Sequence, residues 1–476
     1  VGKMGVEKSY DYWLRGKEGV QQVIVDNNAR PIAKEIIQPA EPGKTVQLTI
    51  DAKLQEIVQN TLDDIFINVV HKDRPDANAG AAVVIEVKTG KILAMASRPF
   101  MDPNDLTGII PEDVAERYFT ADEAASFDRA IAGLYAPGST FKMITGMAGL
   151  HAGVVTPTEK FDSSNPAATL GTKYGIEEWN GVGFGLVDLN RAMAKSSNTY
   201  FQAVAQRVFA KNGELIKQIA NEFGLGVYTG IDIPGESKGY APSPEWKKAT
   251  YGPNFEKQRD KAIAAIEAEY AKKLAAAEDE ETRNKLEKEK KNKISAAEAE
   301  YQYNVRWYVD WQYFDTFNTA IGQGYNSYTP LQLANYVATI VNGGKRMQPY
   351  VVDKILDPVT GEVVYQNQPV VRNIVSVSPE NLELIKEAMS KVTSGEGTAA
   401  ALFLDMPEFS GGAKTGTAQI GSKNTELEDL TNGLFVAFAP YDDPQIAVAA
   451  VIEYGEHGSD TAGLVAKAVF KQYFGW

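Results

Sequence analysis

The sequence predicts an α+β fold, a mainly antiparallel sheet assembled from the two ends of the chain and covered by helices. Three observations predict it. GAAVVIEV, KTGK and ILAMAS read as two apolar strands around a tight turn, and near the C-terminus NGLFVAFAP, YDD and PQIAVAAVIEY read as a second hairpin. Between them the apolar residues recur mostly at helical spacing. AGLVAKAVFKQYF closes the chain as a helix.

In chain order, GVEKSYDYWLRGKEGV and the strand-like QQVIVD lead to a Pro/Gly-marked linker, QPAEPGK, at 38–44. A new unit is expected from residue 44. VQLTID reads as a strand, Asp51 as a cap, and AKLQEIVQNTLDDI as a helix with Leu54, Ile57, Val58, Leu62 and Ile65 on one face. The turn of the first hairpin carries Lys88, Thr89 and Gly90. From about 256 to 300 charged residues and Ala dominate, without Gly or Pro, which predicts a solvated helical hairpin with its reversal at AEDEET. Ile263, Ile266, Tyr270 and Leu274 form one thin apolar stripe, and Leu286, Ile294, Ala297 and Tyr301 another. The two can zip together. Tyr251-Gly252-Pro253 is expected to stop the element before this insertion, and the aromatic YQYNVRWYVDWQYF to anchor its exit.

Composition narrows the function. The chain has 476 residues, a net charge of −14 and no cysteine. It is long enough for two or three domains with a sizeable core. Disulfides, zinc–thiolate sites, iron–sulfur clusters and a cysteine nucleophile are excluded. The acidic balance argues against nucleic acid as a partner. Only His71, His151 and His457 offer an imidazole base, which disfavours a histidine triad. No run approaches the ~18–20 apolar residues of a membrane helix, and the residues from Val1 onward do not resemble a signal peptide.

Three short motifs carry chemistry. In GLYAPGSTFKMITGMAGLHAG a Pro137-Gly138 turn delivers Ser139 to the start of an apolar helix, with Lys142 three residues on and on the same face. A serine hydroxyl needs a base, and a lysine held neutral by burial and a neighbouring positive charge supplies one. Ser-x-x-Lys alone is a weak signal, although it occurs here only once. Ser196-Ser197-Asn198 interrupts a helical pattern in LNRAMAKSSNTYFQAVA. Ordinary caps look the same, but a Ser196 hydroxyl can relay a proton and an Asn198 amide can hold a peptide group. Lys414-Thr415-Gly416-Thr417 lies in the strand-like FSGGAKTGTAQIG, where a substrate backbone can approach closely. Lys414 would add positive charge near Lys142, and the Thr415 and Thr417 hydroxyls would meet a carboxylate. The backbone amides of Ser139 and Thr417 would form an oxyanion hole. The second Lys-Thr-Gly, at Lys88, sits at a hairpin tip and reads as turn chemistry.

Ser-x-x-Lys, Ser-x-Asn and Lys-Thr-Gly in this order form the signature of penicillin-binding proteins and β-lactamases. The chain resembles class B penicillin-binding proteins, the monofunctional D,D-transpeptidases of the bacterial wall, and most of all the elongation-type branch of penicillin-binding protein 2. GVEKSYDYWLRGKEGV, with Gly5, Glu7, Tyr10, Leu14, Gly16 and Gly19, is similar to a box in the family's non-catalytic pedestal. SFDRAIAGLYAPGSTFK, IGQGYNSYTPLQLANYVATIVNGGK and VTSGEGTAA extend the resemblance. It implies a pedestal remnant at 1–43 and a transpeptidase domain at 44–476, the latter a five-stranded sheet with flanking helices and a helical subdomain. The insertion at about 254–304 lies outside the family pattern. Most of the pedestal and the family's N-terminal membrane anchor are missing from this sequence.

The resemblance further implies cross-linking of peptidoglycan stem peptides through an acyl-enzyme on Ser139, with Lys142 and Ser196 catalytic and Asn198, Lys414, Thr415, Gly416 and Thr417 binding substrate. β-Lactams would acylate the same serine, with no cofactor and no metal. The expected location is the extracytoplasmic face of the bacterial cytoplasmic membrane, beside a membrane glycosyltransferase of the SEDS type. A D,D-carboxypeptidase or β-lactamase-type hydrolase, a non-enzymatic β-lactam sensor domain and an idle scaffold are the alternatives.

Overall fold

The computed structural model describes residues 2–120, 124–420 and 430–476; Gly421, the last residue of FSGGAKTGTAQIG, lies outside them. A five-stranded antiparallel sheet organises the molecule. Its strands are β1 (Gly80–Glu86), β2 (Ile92–Arg98), β3 (Gly412–Gln419), β4 (Thr431–Ala439) and β5 (Ile446–Ile452), in the spatial order β3-β4-β5-β1-β2. The N-terminal hairpin thus joins the C-terminal strands through β1 and β5, with Gly80 opposite Ile452 and Glu86 opposite Ile446. Every residue of β5 is buried, as is nearly all of β1. Helices cover both sheet faces, which is why these strands are continuously apolar rather than alternating.

The helices that matter to the site are α1 (Ala52–Asn68), α2 (Lys142–His151), α3 (Leu189–Lys195), α4 (Asn198–Lys211), α5 (Pro244–Ala275), α6 (Glu280–Asn304), α7 (Tyr313–Ala320), α8 (Pro330–Val341), α9 (Pro379–Val392) and α10 (Ala462–Phe474). α1 and α10 pack together on one side of the sheet, and α8 and α9 pack against its strands as well. α1 starts as the sequence predicts: the Asp51 carboxylate accepts from the Leu54 amide at 3.0 Å, and Leu54, Val58, Leu62 and Ile65 are buried. VQLTID gives a short strand, Thr45–Leu48, which pairs with Val352–Leu356 in a separate small sheet. QQVIVD forms a strand as far as Val25, within Val20–Val25, paired with Pro31–Gln38.

One expectation fails at the insertion. Gly252-Pro253 does not end the preceding element, because α5 runs unbroken from Pro244 through Pro253. The amide that proline lacks would have met the Ala249 carbonyl, and both residues are exposed, so that carbonyl is open to solvent. α5 and α6 reverse at 276–279 and pack along each other. Both apolar stripes are partly covered. Tyr270 is fully buried under Lys273 and Lys293, whose ammonium groups lie 4.8 and 5.3 Å from its ring centre.

The root of this arm is fixed differently from its tip. Lys247 and Asp315 form an ion pair at 2.7 Å with side chains 1% and 2% exposed, which ties α5 to α7. Trp246 and Tyr251 lie against Tyr325, with ring centres 5.4 and 5.6 Å away.

Candidate active site

Pro137 is followed by a 3₁₀ turn, Gly138–Phe141, and α2 begins only at Lys142. In a 3₁₀ turn residues i and i+3 eclipse, so Ser139 and Lys142 fall on one line more strictly than an α-helix would place them. Gly138 is left-handed at φ +51°, and a Cβ there would lie 2.6 Å from the Thr417 carbonyl oxygen. That glycine lets the nucleophile's turn rest directly on β3. Gly416 serves the same contact from the other side: a Cβ there would lie 2.9 Å from the Pro137 carbonyl oxygen. The close approach expected for substrate at Gly416 is therefore taken up by the protein itself.

β3 is an edge strand, paired only with β4. An edge facing a cleft offers backbone groups to an extended peptide. The cleft beside it has a volume of about 530 Å³ and is lined by Ser139, Ser196, Asn198, Thr415 and Thr417, together with Ile176, Trp179, Asn318, Ile321, Gln323, Thr398 and His457. Lys142, Lys414 and Gly416 do not line it. They lie beneath, with Lys142 and Lys414 0% exposed.

The two lysines meet at Ser196. Lys142 Nζ lies 2.7 Å from the Ser196 carbonyl oxygen, 2.7 Å from Asn198 Oδ1 and 3.2 Å from Ser196 Oγ. Lys414 Nζ donates to Ser196 Oγ at 2.9 Å and to the Thr415 carbonyl at 3.0 Å. Ser196 can turn its carbonyl and its hydroxyl to the same amine because it ends α3 in the left-handed region at φ 56°. A non-glycine residue there is uncommon and is held only by its surroundings. Ser197 then caps α4, its Oγ accepting from the Tyr200 amide at 3.3 Å.

Burial pushes the Lys142 amine down to about 7, because no carboxylate is bonded to it to offset lost hydration. Lys414 is driven well below its ordinary value, first by burial and then by the Lys142 charge. The neighbouring positive charge expected to act on Lys142 is felt at Lys414 instead. Two amines sharing one hydroxyl do not readily both carry a positive charge.

Glu178, which sequence reasoning missed, opposes the burial effect at Lys142. Its oxygens accept from Ser197 Oγ at 2.6 Å and from the Asn198 and Thr199 amides at 2.7 and 3.0 Å. The carboxylate therefore caps the N-terminus of α4 and acts on Lys142 through space. No spacing rule links Glu178 to Ser196; only its burial betrays it. Thr398, bonded to Thr415 Oγ1 at 2.9 Å, and Gln323, donating to the Thr417 carbonyl at 3.3 Å, were also unassigned. VTSGEGTAA and IGQG were the only hints. Lys88 is on the surface in an ion pair with Asp443, away from the cleft. Among the described residues no group of three or more His, Asp or Glu is placed to hold a metal ion.

Residues 80–475 match the penicillin binding protein transpeptidase domain, and residues 1–48 the penicillin-binding protein dimerisation domain. The chain is 30% identical to the peptidoglycan D,D-transpeptidase MrdA of Acinetobacter baumannii over 99% of its own length and 60% of that protein's. It spans 60–66% of the MrdA proteins of A. baumannii, Salmonella typhimurium and Haemophilus influenzae. Penicillin-binding protein 2 of Pseudomonas aeruginosa, solved with WCK 5153, is 28% identical and superposes with a TM-score of 0.70 over 99% of this chain and 84% of that one. A peptidoglycan synthase complex that coordinates polymerization and crosslinking contains a chain 25% identical, with a TM-score of 0.74 over 99% of this chain and 70% of that one. Fold, motifs and matches agree: the chain belongs to the penicillin-binding protein transpeptidase family, among the class B members of the penicillin-binding protein 2 type.

Proposed function

We propose that this chain is the catalytic part of a peptidoglycan D,D-transpeptidase working through an acyl-enzyme on Ser139. The observation that carries the reading is the Lys142 amine: buried, met by the Ser196 and Asn198 oxygens, lowered to about 7, and one 3₁₀ turn from Ser139. Lys142 takes the proton of Ser139 Oγ as it attacks the penultimate D-Ala carbonyl. The Ser139 and Thr417 amides face the developing oxyanion. Through the Ser196 hydroxyl the proton reaches the leaving D-Ala amine. The Thr415 and Thr417 hydroxyls hold the terminal carboxylate with Lys414 acting on it from beneath the cleft, the backbone at Gly416 keeps this strand against the nucleophile's turn, and Asn198 holds a peptide group. An amine from a neighbouring stem then resolves the acyl-enzyme. A β-lactam acylates the same serine.

Residues 1–43 are read as pedestal and linker, 44–476 as the transpeptidase domain, and about 254–304 as its inserted arm. Kinship with MrdA and penicillin-binding protein 2 supports a place on the outer face of the bacterial cytoplasmic membrane. The synthase complex above, which coordinates polymerization and crosslinking, supports a polymerising partner, which we read as a membrane glycosyltransferase of the SEDS type.

Intact-mass measurement after exposure to penicillin should show a single adduct, and digestion should place it on Ser139. No adduct, or one on another serine, overturns the reading. Replacing 256–300 by a short Gly/Ser linker is expected to leave the acylation rate within about twofold, since the contacts of the arm's root lie at Trp246, Lys247 and Tyr251. Stopped-flow acylation of the correctly folded deletion variant checks this.

A further inference from the structure

Resolving an acyl-enzyme with an amine poses a proton problem that the motifs above do not solve. At neutral pH an aliphatic acceptor arrives as an ammonium ion and must lose a proton before its nitrogen can attack. Attack releases a second. Lys142 sits beside Ser196 and can return only one of these to Ser139 Oγ. Neither buried lysine is accessible to an incoming cation.

One imidazole lines the same cleft as Ser139 and Thr417. His457 is exposed, whereas the His71 ring is taken up by the Ala77 carbonyl at 2.7 Å and His151 ends α2 outside the cleft. The loop carrying His457 is held in a costly shape. Tyr454 and Glu456 are both left-handed non-glycine residues, at φ 57° and 49°. Tyr454 and Glu456 donate their amides to Asn432 Oδ1 and the Thr431 carbonyl, each at 3.2 Å. Thr461 Oγ1 donates to the Gly455 and His457 carbonyls at 2.8 and 3.2 Å. The next residue is pressed onto the catalytic strand, for a Cβ on Gly458 would lie 1.9 Å from the Leu434 carbonyl oxygen and 2.6 Å from that of Gly416. The loop is thus strained, pinned and seated on β3, and its exposed basic side chain is at the cleft.

We infer that His457 is the general base for the acceptor amine in the second half-reaction, an inference that rests on the transpeptidase reading. An imidazole nitrogen takes one proton from the acceptor ammonium. The freed amine nitrogen bonds to the acyl carbon, the bond from that carbon to Ser139 Oγ breaks, and the second nitrogen-bound proton passes through the Ser196 hydroxyl and Lys142 to Ser139 Oγ. The products are a new amide, the free serine and an imidazolium that returns its proton to water. Positioned bases of this kind typically contribute about 10²- to 10⁴-fold.

The test follows a preformed acyl-enzyme, so that acylation does not enter. Wild type and His457→Gln are loaded with a D-Ala-thioester peptide donor, freed of excess donor, and mixed with either a D-amino acid or hydroxylamine. Hydroxylamine is already unprotonated at neutral pH and needs no base. His457→Gln should slow transfer to the D-amino acid by about 10²-fold or more and leave transfer to hydroxylamine within about twofold. His457→Asn should behave alike. Equal loss with both acceptors would mean that His457 only shapes the acceptor site, and no loss with either would remove it from the reaction; each overturns the inference. Failure of the wild-type chain to form an acyl-enzyme would instead overturn the functional reading beneath it.

Discussion

Lys142→Ala should slow acylation of Ser139 by penicillin about 10²- to 10⁴-fold, the usual worth of a positioned base, while the chain stays folded. An ordinary lysine is neutral in only about one molecule in 3,000 at pH 7. With its value lowered to about 7, Lys142 is neutral in roughly half. The wild-type acylation rate should therefore rise with pH through a midpoint near 7 and level off above it, because the deprotonated amine is the active form. Lys142→Ala should lack that rise. The same shift is a stability statement. The unfolded lysine binds a proton up to about 10.5 and the folded one only to about 7, so across that window the unfolded state holds more protons and this group's contribution to stability grows with pH. Lys88→Ala, at the exposed Lys-Thr-Gly turn, is the matched control and should change neither rate nor profile. Stopped-flow acylation from pH 5 to 9 measures all three proteins, and an unchanged rate in Lys142→Ala would remove that lysine from the base role.

How far the sequence reached follows from which forces leave a local pattern. Both apolar hairpins, the Asp51 cap and the break between α3 and α4 were legible because each is written in a few consecutive residues. Lys142, Ser196 and Lys414 were legible as a set because three motifs had to coincide. Their shared hydroxyl was not, since Lys142 and Lys414 stand 272 positions apart and meet only after β3 docks on the Gly138 turn. Glu178 was invisible for the reverse reason: a carboxylate in a Gly/Glu/Asn-rich loop reads as solvated until folding buries it under α4. Gly252-Pro253 misled because Pro253 stands on an exposed face of α5, where the carbonyl it leaves without a donor, that of Ala249, is open to solvent.

The root of the arm yields the second large effect. Lys247→Met should destabilise the protein by about 3–5 kcal/mol, since it leaves the Asp315 carboxylate buried without its cation. Asp315 keeps one bond, from the Gln312 amide at 2.8 Å, which caps α7 but does not neutralise the charge. The double variant Lys247→Met/Asp315→Asn removes the charge and keeps an acceptor for that amide, so it should recover most of the loss. Rate should fall along with stability in the single variant, because α7 and the residues after it reach the site at three places. The Ala320 carbonyl accepts from Thr145 Oγ1 at 2.8 Å, the Gly322 carbonyl from the Gly138 amide at 3.0 Å, and Gln323 donates to the Thr417 carbonyl at 3.3 Å. The Gly138 bond sets the turn that carries Ser139, and the Gln323 bond touches the strand edge that carries the proposed oxyanion amide. Urea unfolding and acylation rates on the two variants test both consequences. A single variant that loses less than about 1 kcal/mol, or a double variant no more stable than the single, would show that the buried pair does not hold α5 to α7 and that the site is framed without the arm's root.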